Sequence, residues 1–256
     1  MAFNIFSLNL WNLNCDFRDR MRRLDRYLNH AQPEIVCLQE VSPVTPAGRP
    51  QSDLVCTQVP GMTRLYSSQY QWEDREEGLA TLSRLPLLSF DSFMLPPAEG
   101  DGLRRLQITV LDYHGQRMLV ANTHLAFRHE QHRERFAQCR TIIGHLTAAA
   151  AHWQTDAILL VGDFNATPKS PPISGITDCG LGLRDLFSGT DLRRNRNTFP
   201  DDSPHFVGDA TSVRWIDFIF ATDRFEVQLL GLALDGKNGD FVSDHVALEA
   251  SLELLS

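Results

Sequence analysis

Apolar runs of strand length recur along the whole chain and are broken by only two long amphipathic segments. Such a pattern demands β-sheet layers with helices packed on them. The strand-like runs are 3–10, 34–38, 78–83, 87–93, 103–112, 117–124, 157–162, 214–221, 225–234 and 246–254. The first helical stretch, 16–30, spaces Phe17, Met21, Leu24, Tyr27 and Leu28 along one face, carries arginines on the other and is closed by Pro33. The second, 130–153, places Phe136, Cys139, Ile142, Ile143 and Leu146 on its apolar face. Residues 42–61 hold several Pro and Gly and read as an irregular connection, and the polar stretch 188–210 reads as a surface loop. No repeat, low-complexity tract or linker divides the chain, and 256 residues lie close to the upper limit for one core. A single domain over 1–256 is expected, an α/β sandwich of two sheets packed face to face with helices outside.

Composition narrows the class. With 43% hydrophobic and 22% charged residues the chain is neither disordered nor fibrous. No uncharged apolar run approaches the roughly eighteen residues that span a bilayer, so no integral membrane association is expected. The opening Met1-Ala2-Phe3-Asn4-Ile5 lacks the pattern of a signal peptide and reads as a first strand. Five scattered cysteines without a C-x-x-C pair argue against a disulfide framework or a zinc cage. The expected setting is the cytoplasm and the expected state a monomer. A net charge of −8 excludes a general nucleic-acid coating protein but permits an enzyme with a local cationic groove.

The polar residues at strand ends carry the functional information. Glu40 follows the apolar run that ends at Leu38, His124 follows Leu119-Val120-Ala121, and Asp163 and Asn165 follow Ile158-Leu159-Leu160-Val161. Asp217 sits inside Trp215-Ile216-Asp217-Phe218-Ile219-Phe220, and Asp244-His245 precedes the last strand. One such residue alone is best read as an end-of-strand hydrogen bond to backbone. Their convergence, with Asn9 at the end of the first strand, favours a ligand site at a common sheet edge. An aspartate among aromatic and aliphatic neighbours needs a partner. His245 suits Asp217, and the strand that it opens is expected to lie beside Asp217. Carboxylates with two imidazoles suit Mg²⁺, with Mn²⁺ as substitute, better than zinc. The chemistry is that of metal-assisted hydrolysis of a phosphate ester.

The segments Ser7-Leu8-Asn9, Leu38-Gln39-Glu40-Val41, Glu77-Gly78-Leu79-Ala80-Thr81-Leu82-Ser83-Arg84, Asn122-Thr123-His124-Leu125, Gly162-Asp163-Phe164-Asn165, Ile216-Asp217-Phe218-Ile219 and Ser243-Asp244-His245 occur in this order. In that order they resemble the endonuclease/exonuclease/phosphatase superfamily of deoxyribonuclease I and exonuclease III type. The resemblance implies a four-layer α/β/β/α sandwich with the site at one edge of the paired sheets. It further implies Glu40 as main metal ligand with Asn9 and Asp244 beside it, and Asp163 and Asn165 orienting the attacking water and a phosphoryl oxygen. It makes His245, supported by Asp217, a base or phosphate clamp, and His124 a donor to the phosphate or the leaving oxygen, oriented by Glu77.

Departures bear on substrate. Abasic-site endonucleases read G-D-L-N and carry an Asp two residues after the first Asn, where this chain has Phe164 and Trp11. The inositol-polyphosphate phosphatase signature and the long apolar hairpin of secreted sphingomyelinases are absent. Arg135-x-x-Gln138 looks like broad bacterial, deadenylase-like or DNA-end-processing branches. The leading expectation is a Mg²⁺-dependent phosphodiesterase on a phosphodiester such as DNA, RNA or a nucleotide-type ester. The alternatives are a sphingomyelinase-like phospholipid phosphodiesterase, a soluble phosphomonoesterase, or a binding module that has lost catalysis. Arg128, next after His124 among the arginines, is the candidate phosphate binder, and Trp11 and Trp72 are candidates to stack on a base. The run 193–196 reads as ordinary surface loop.

Overall fold

The computed structural model describes every residue except 73, 74, 210, 211, 213 and 256, and only the backbone of 70–72 and 75. Trp72 as a stacking residue therefore lies outside the described side chains. Strands β1 (Ala2–Asn9) and β2 (Ile35–Val41) run parallel at the centre of one mixed sheet. β3 (Thr63–Trp72) and β4 (Arg75–Ser83) extend it on one side, and β11 (Phe225–Ala233) and β12 (Ala247–Leu254) on the other, in the order β11-β12-β1-β2-β4-β3. The second sheet is built from β5 (Leu87–Met94), β6 (Arg105–Tyr113), β7 (Gln116–His124), β8 (Ile158–Asp163), β9 (Arg184–Asp185) and β10 (Asp217–Ala221). Its order is β5-β6-β7-β8-β10-β9, with β7 and β8 parallel.

Period-two alternation in β1 explains the layering. Phe3 and Ile5 join Ile35 and Cys37 in the core between the sheets, against Leu106, Ile108, Val161 and Phe218. Phe6 and Leu8 point the other way, onto Met21, Leu24 and Leu28 of α1 (Phe17–Ala31). On the far side α2 (His132–Trp153) buries Cys139, Ile142 and Leu146 on the second sheet. The result is the four-layer α/β/β/α sandwich.

Several segments depart from the sequence reading. β3 went unassigned because Thr63-Arg64-Leu65-Tyr66-Ser67-Ser68 is too polar to read as a strand; pairing along β4 makes it one. The stretch 188–210 contains α4 (Asp191–Asn195), capped by Thr190, and α3 (Pro171–Thr177) precedes it. Phe136, assigned to the buried face of the second helix, is 39% exposed; its ring stands beside Gly175 of α3. Asp217 is the first residue of β10, not interior to a strand. The strand after His245 lies in the opposite sheet from Asp217 rather than beside it, so the two residues face each other across the gap between sheets.

Candidate active site

Parallel pairing brings the C-terminal ends of β1 and β2, and of β7 and β8, to the same edge of the sandwich. Asn9 and Glu40 end the first pair; His124 and Asp163 stand directly opposite each other at the end of the second. Glu40 has a positive φ of 49° within an irregularity in the β2–β4 register, which turns its side chain out of the strand's alternation. β10 runs antiparallel to β8, so its first residue, Asp217, pairs with Asp163. Gly162 permits this close packing. Its φ is 136°, and a Cβ there would lie 1.9 Å from the Thr123 carbonyl oxygen.

Asn9 bridges the two halves of the site. Its Nδ2 donates to Glu40 Oε1 at 3.0 Å and to Asp163 Oδ2 at 3.1 Å. His124 Nε2 lies 3.6 Å from Asp163 Oδ2 and 3.9 Å from Glu40 Oε1. His245 Nε2 approaches Asp163 Oδ2 at 3.8 Å, while its Nδ1 lies 2.9 Å from Asp217 Oδ2. Asp163 Oδ1 accepts the Asn165 amide at 2.8 Å, and Asn165 Nδ2 donates to the Leu125 carbonyl at 3.2 Å. Ser243 Oγ donates to the Asn9 carbonyl at 2.6 Å and lies 3.1 Å from Asp244 Oδ1, tying Asp244 to β1. Every expected member of the constellation is thus at this edge.

Burial and charge crowding set the protonation states. Burial, then the Glu40 charge, pushes Glu77 up to about 8 against the opposing pull of Arg104. Burial, then Asp217, lifts Asp163 to about 7, and Asp244 rises to about 6, chiefly through burial. Burial pulls His245 down, but the charges of Asp217, Asp244 and Asp163 and the bond to Asp217 outweigh it and hold the imidazole well above its usual value. His124 is driven well below the usual value by burial, then by Arg104 and His245. Its approaches to Glu40 and Asp163 are accordingly those of a neutral ring, not ion pairs. Carboxylates crowded until they resist ionisation are a donor set that a hard divalent cation relieves. Among the described residues, Asp163, Asp217 and His245 offer donor atoms within 4.8 Å of one another, a group that could hold a metal ion once His245 gives up its proton. Glu40 faces this group across Asn9.

Two expectations are corrected. Glu77 does not orient His124: Arg104 stands between them, with Nη1 3.1 Å from His124 Nδ1 and 3.7 Å from Glu77 Oε1. Arg128 is not the cation beside His124 either, because its guanidinium donates to the Gly100 carbonyl at 2.7 Å. Arg104, 2% exposed and anchored on Asp101 at 2.6 Å, takes that place. No motif marks it in the sequence, where it is one arginine at the start of a strand. Trp11 packs its ring on His205 at 5.5 Å and on the Arg20 guanidinium at 5.2 Å. Arg20 is buried and donates to the carbonyls of Leu10, Asn12, Asn14, Cys15 and Val242, which clamps the loops carrying Asn9 and Asp244 together. Thr198 was also missed. Its hydroxyl oxygen accepts the amides of Ile216 and Asp217 at 2.9 and 3.2 Å, and its carbonyl accepts the Val246 amide at 2.8 Å.

Comparison with known proteins agrees with this architecture. The Endonuclease/Exonuclease/phosphatase family model matches residues 6–245. Among curated proteins, the carbon catabolite repressor protein 4 homolog 6 of Arabidopsis thaliana is 36% identical over 77 residues, 28% of this chain and 10% of that protein. The probable CCR4-Not complex 3'-5'-exoribonuclease subunit Ccr4 of Vairimorpha ceranae is 24% identical over 176 residues, 60% of this chain and 36% of that protein. The matches thus span about a tenth and about a third of these relatives' lengths. Among solved structures, a Bacteroides vulgatus member of the family superposes with a TM-score of 0.79 at 19% identity, covering 99% of both chains. The human Nocturnin catalytic domain gives 0.77 at 17% identity over 99% of this chain and 93% of that one. D. rerio TDP2, complexed with single-strand DNA product, gives 0.77 at 19% identity over 98% and 99%. These structural likenesses establish the fold. With the family match running from β1 to His245, the chain belongs to the Endonuclease/Exonuclease/phosphatase family, whose members hydrolyse phosphoesters.

Proposed function

We propose that the protein is a metal-dependent phosphodiesterase that cleaves a nucleic acid or nucleotide-type ester by attack of water on phosphorus. One observation carries the reading: Asn9 donates from Nδ2 to both Glu40 and Asp163, with His124 and the His245–Asp217 pair closing the same cleft. Glu40, Asn9 and Asp244 would hold Mg²⁺, with Mn²⁺ as substitute. Bound there, the ion supplies charge for the phosphoryl oxygens and lowers the pKa of water.

The chain's own groups then have distinct tasks. Asp163, its carboxyl titrating near neutrality, accepts the proton of the attacking water, which Asn165 helps to hold. His245, kept cationic by Asp217, clamps a phosphoryl oxygen through Nε2. His124 is neutral, with Nδ1 facing Arg104, and donates to the ester from Nε2. Arg104, unforeseen in the sequence, adds a buried positive charge beside His124.

A nucleic-acid substrate is favoured by the relatives, one named as an exoribonuclease subunit and one solved with a single-strand DNA product. The described cysteines are all free, in keeping with a reducing cytoplasm, and no described helix is long and apolar enough to cross a membrane. We place the activity in a single monomeric domain. Plasmid, single-stranded DNA, RNA, sphingomyelin and inositol phosphates, assayed side by side with Mg²⁺, test the substrate. Turnover of a nucleic acid above the others is expected, and turnover of sphingomyelin alone would overturn the nuclease reading.

A further inference from the structure

Beyond the catalytic cleft, the loop that leaves His124 carries an exposed aromatic residue, Phe127, whose amide is held by Asp101, and beside it stand Arg128, Arg135 and Arg214, none of them in an ion pair among the described residues. Phe127 is 51% exposed. The guanidinium of Arg128 lies 5.4 Å from its ring centroid and that of Arg104, the cation beside His124, 5.8 Å. Further along, Arg214 Nη1 donates to His129 Nδ1 at 3.1 Å and Arg135 Nη2 to His132 Nδ1 at 3.2 Å. The two imidazoles meet edge to face at 5.6 Å. Because each accepts through Nδ1, each has Nε2–H left to donate. The other hydrogen-bond partners of Arg128, Arg135 and Arg214 are carbonyl oxygens, those of Gly100, Ala126, Arg128, His129 and Ser212. Glu134 is the carboxylate that acts electrostatically on His132. Arg22, Arg194 and Arg224 each face an Asp, whereas among the described residues no ion pair joins Arg128, Arg135 or Arg214 to a carboxylate.

The group lies beside the cleft. Arg214 pairs through its backbone with Phe199, whose ring stands 5.0 Å from His245. Arg135 sits close enough to Asp163 to feel its charge. An ester bound between His124 and His245 would therefore have an aromatic face on one side and uncompensated donors on the next. A small phosphomonoester has no second anion to place there; a polynucleotide has one phosphate and one base per step. Exposed aromatic rings beside guanidinium groups are how single strands are held without sequence preference.

We infer that Phe127, His129, His132 and Arg214 form a strand-binding rim for single-stranded polynucleotide, with a base on Phe127 and the adjoining phosphate on the Arg214–His129–His132 group. The inference rests on the phosphodiesterase reading for the neighbouring cleft and names the class of its substrate. The test uses fluorescence anisotropy of labelled DNA and RNA oligonucleotides with the full chain carrying His245→Ala, in Mg²⁺, so that cleavage does not intervene. Adding Phe127→Ala should weaken binding about tenfold. Adding Arg214→Gln with His129→Gln should weaken it and reduce the slope of log Kd against log salt by about one. In the otherwise unaltered protein, the same rim substitutions should leave hydrolysis of bis(p-nitrophenyl) phosphate and the melting temperature unchanged. Unaltered oligonucleotide affinity would overturn the rim while the cleft's activity stood. So would binding of anionic phospholipid vesicles in place of oligonucleotides, or an equal loss of activity on the generic ester. Failure of the unaltered protein on that ester would instead count against the phosphodiesterase reading, with the binding data still deciding the rim.

Discussion

His245 Nδ1 lies 2.9 Å from Asp217 Oδ2, although Asp217 opens β10 of one sheet and His245 stands just before β12 of the other. The pair joins charge across the gap between the sheets, and the Phe199 ring stands 5.0 Å from its imidazole. A carboxylate behind an imidazole fixes the ring's tautomer and favours its charged form. His245→Ala should therefore lower turnover by about 10²–10⁴-fold, and Asp217→Asn by less, since the ring remains. The double substitution should cost little more than His245→Ala alone, because groups acting as one unit are strongly non-additive. Steady-state kinetics of the four proteins check this; additive penalties would separate the pair.

The same pair predicts a titration. Asp217 supplies the two largest influences that raise His245, so Asp217→Asn should lower its pKa, with Asp244 and Asp163 still opposing burial. NMR of the ring nitrogens in metal-free protein reads this directly. Linkage gives the sign for stability. A histidine raised by folding stabilises fully below its unfolded value, about 6.5, and that contribution is lost as pH rises through the folded value. Chemical denaturation of the metal-free protein from pH 6 to pH 9 should show a decline that Asp217→Asn makes shallower, the remainder coming from the raised carboxyls of Glu77 and Asp163.

Arg104 is the cation that holds His124 neutral together with burial. Arg104→Gln should raise the His124 pKa and slow turnover by about tenfold or more, as for loss of one charged donor at a transition state. It also leaves Asp101, its 2.6 Å partner, without its cation, at a cost of about 3–5 kcal/mol. Thermal denaturation and a pH titration of His124 read the two effects separately. Unchanged His124 titration would show that the guanidinium does not act on the ring.

Thr198 stitches the dyad's two sides together, accepting amides from Ile216 and Asp217 and from Val246. Thr198→Val keeps the shape but removes the hydroxyl acceptor from two buried amides, which costs about 1–3 kcal/mol. Turnover should fall with little change in KM, since the dyad and not the substrate loses its register. A change confined to KM would place Thr198 with the substrate instead.

Much of this was legible in the chain. Apolar runs ending in Asn9, Glu40, His124 and Asp163 located the edge where parallel strands end, because buried strands must be apolar and functional groups can only follow them. The two long helices were visible from their spacing. What escaped were features that exist only through tertiary contact. β3 is polar and becomes a strand by pairing along β4. Arg104, Arg20 and Thr198 work through distant carbonyls, amides and rings that no local pattern records. The relation of Asp217 to His245 was anticipated as a pair, but not as a bond between sheets, since strand order is set by long-range pairing.

The cleft's metal dependence is the most direct test of the account, and Glu40 is the residue on which to make it. Its side chain is 23% exposed, so Glu40→Gln should leave folding intact while weakening metal binding. Hydrolysis of bis(p-nitrophenyl) phosphate should vanish in EDTA, return with Mg²⁺ or Mn²⁺, and require much higher metal concentrations in Glu40→Gln. Full activity in chelator, or an unchanged metal requirement with a lowered melting temperature in Glu40→Gln, would contradict it.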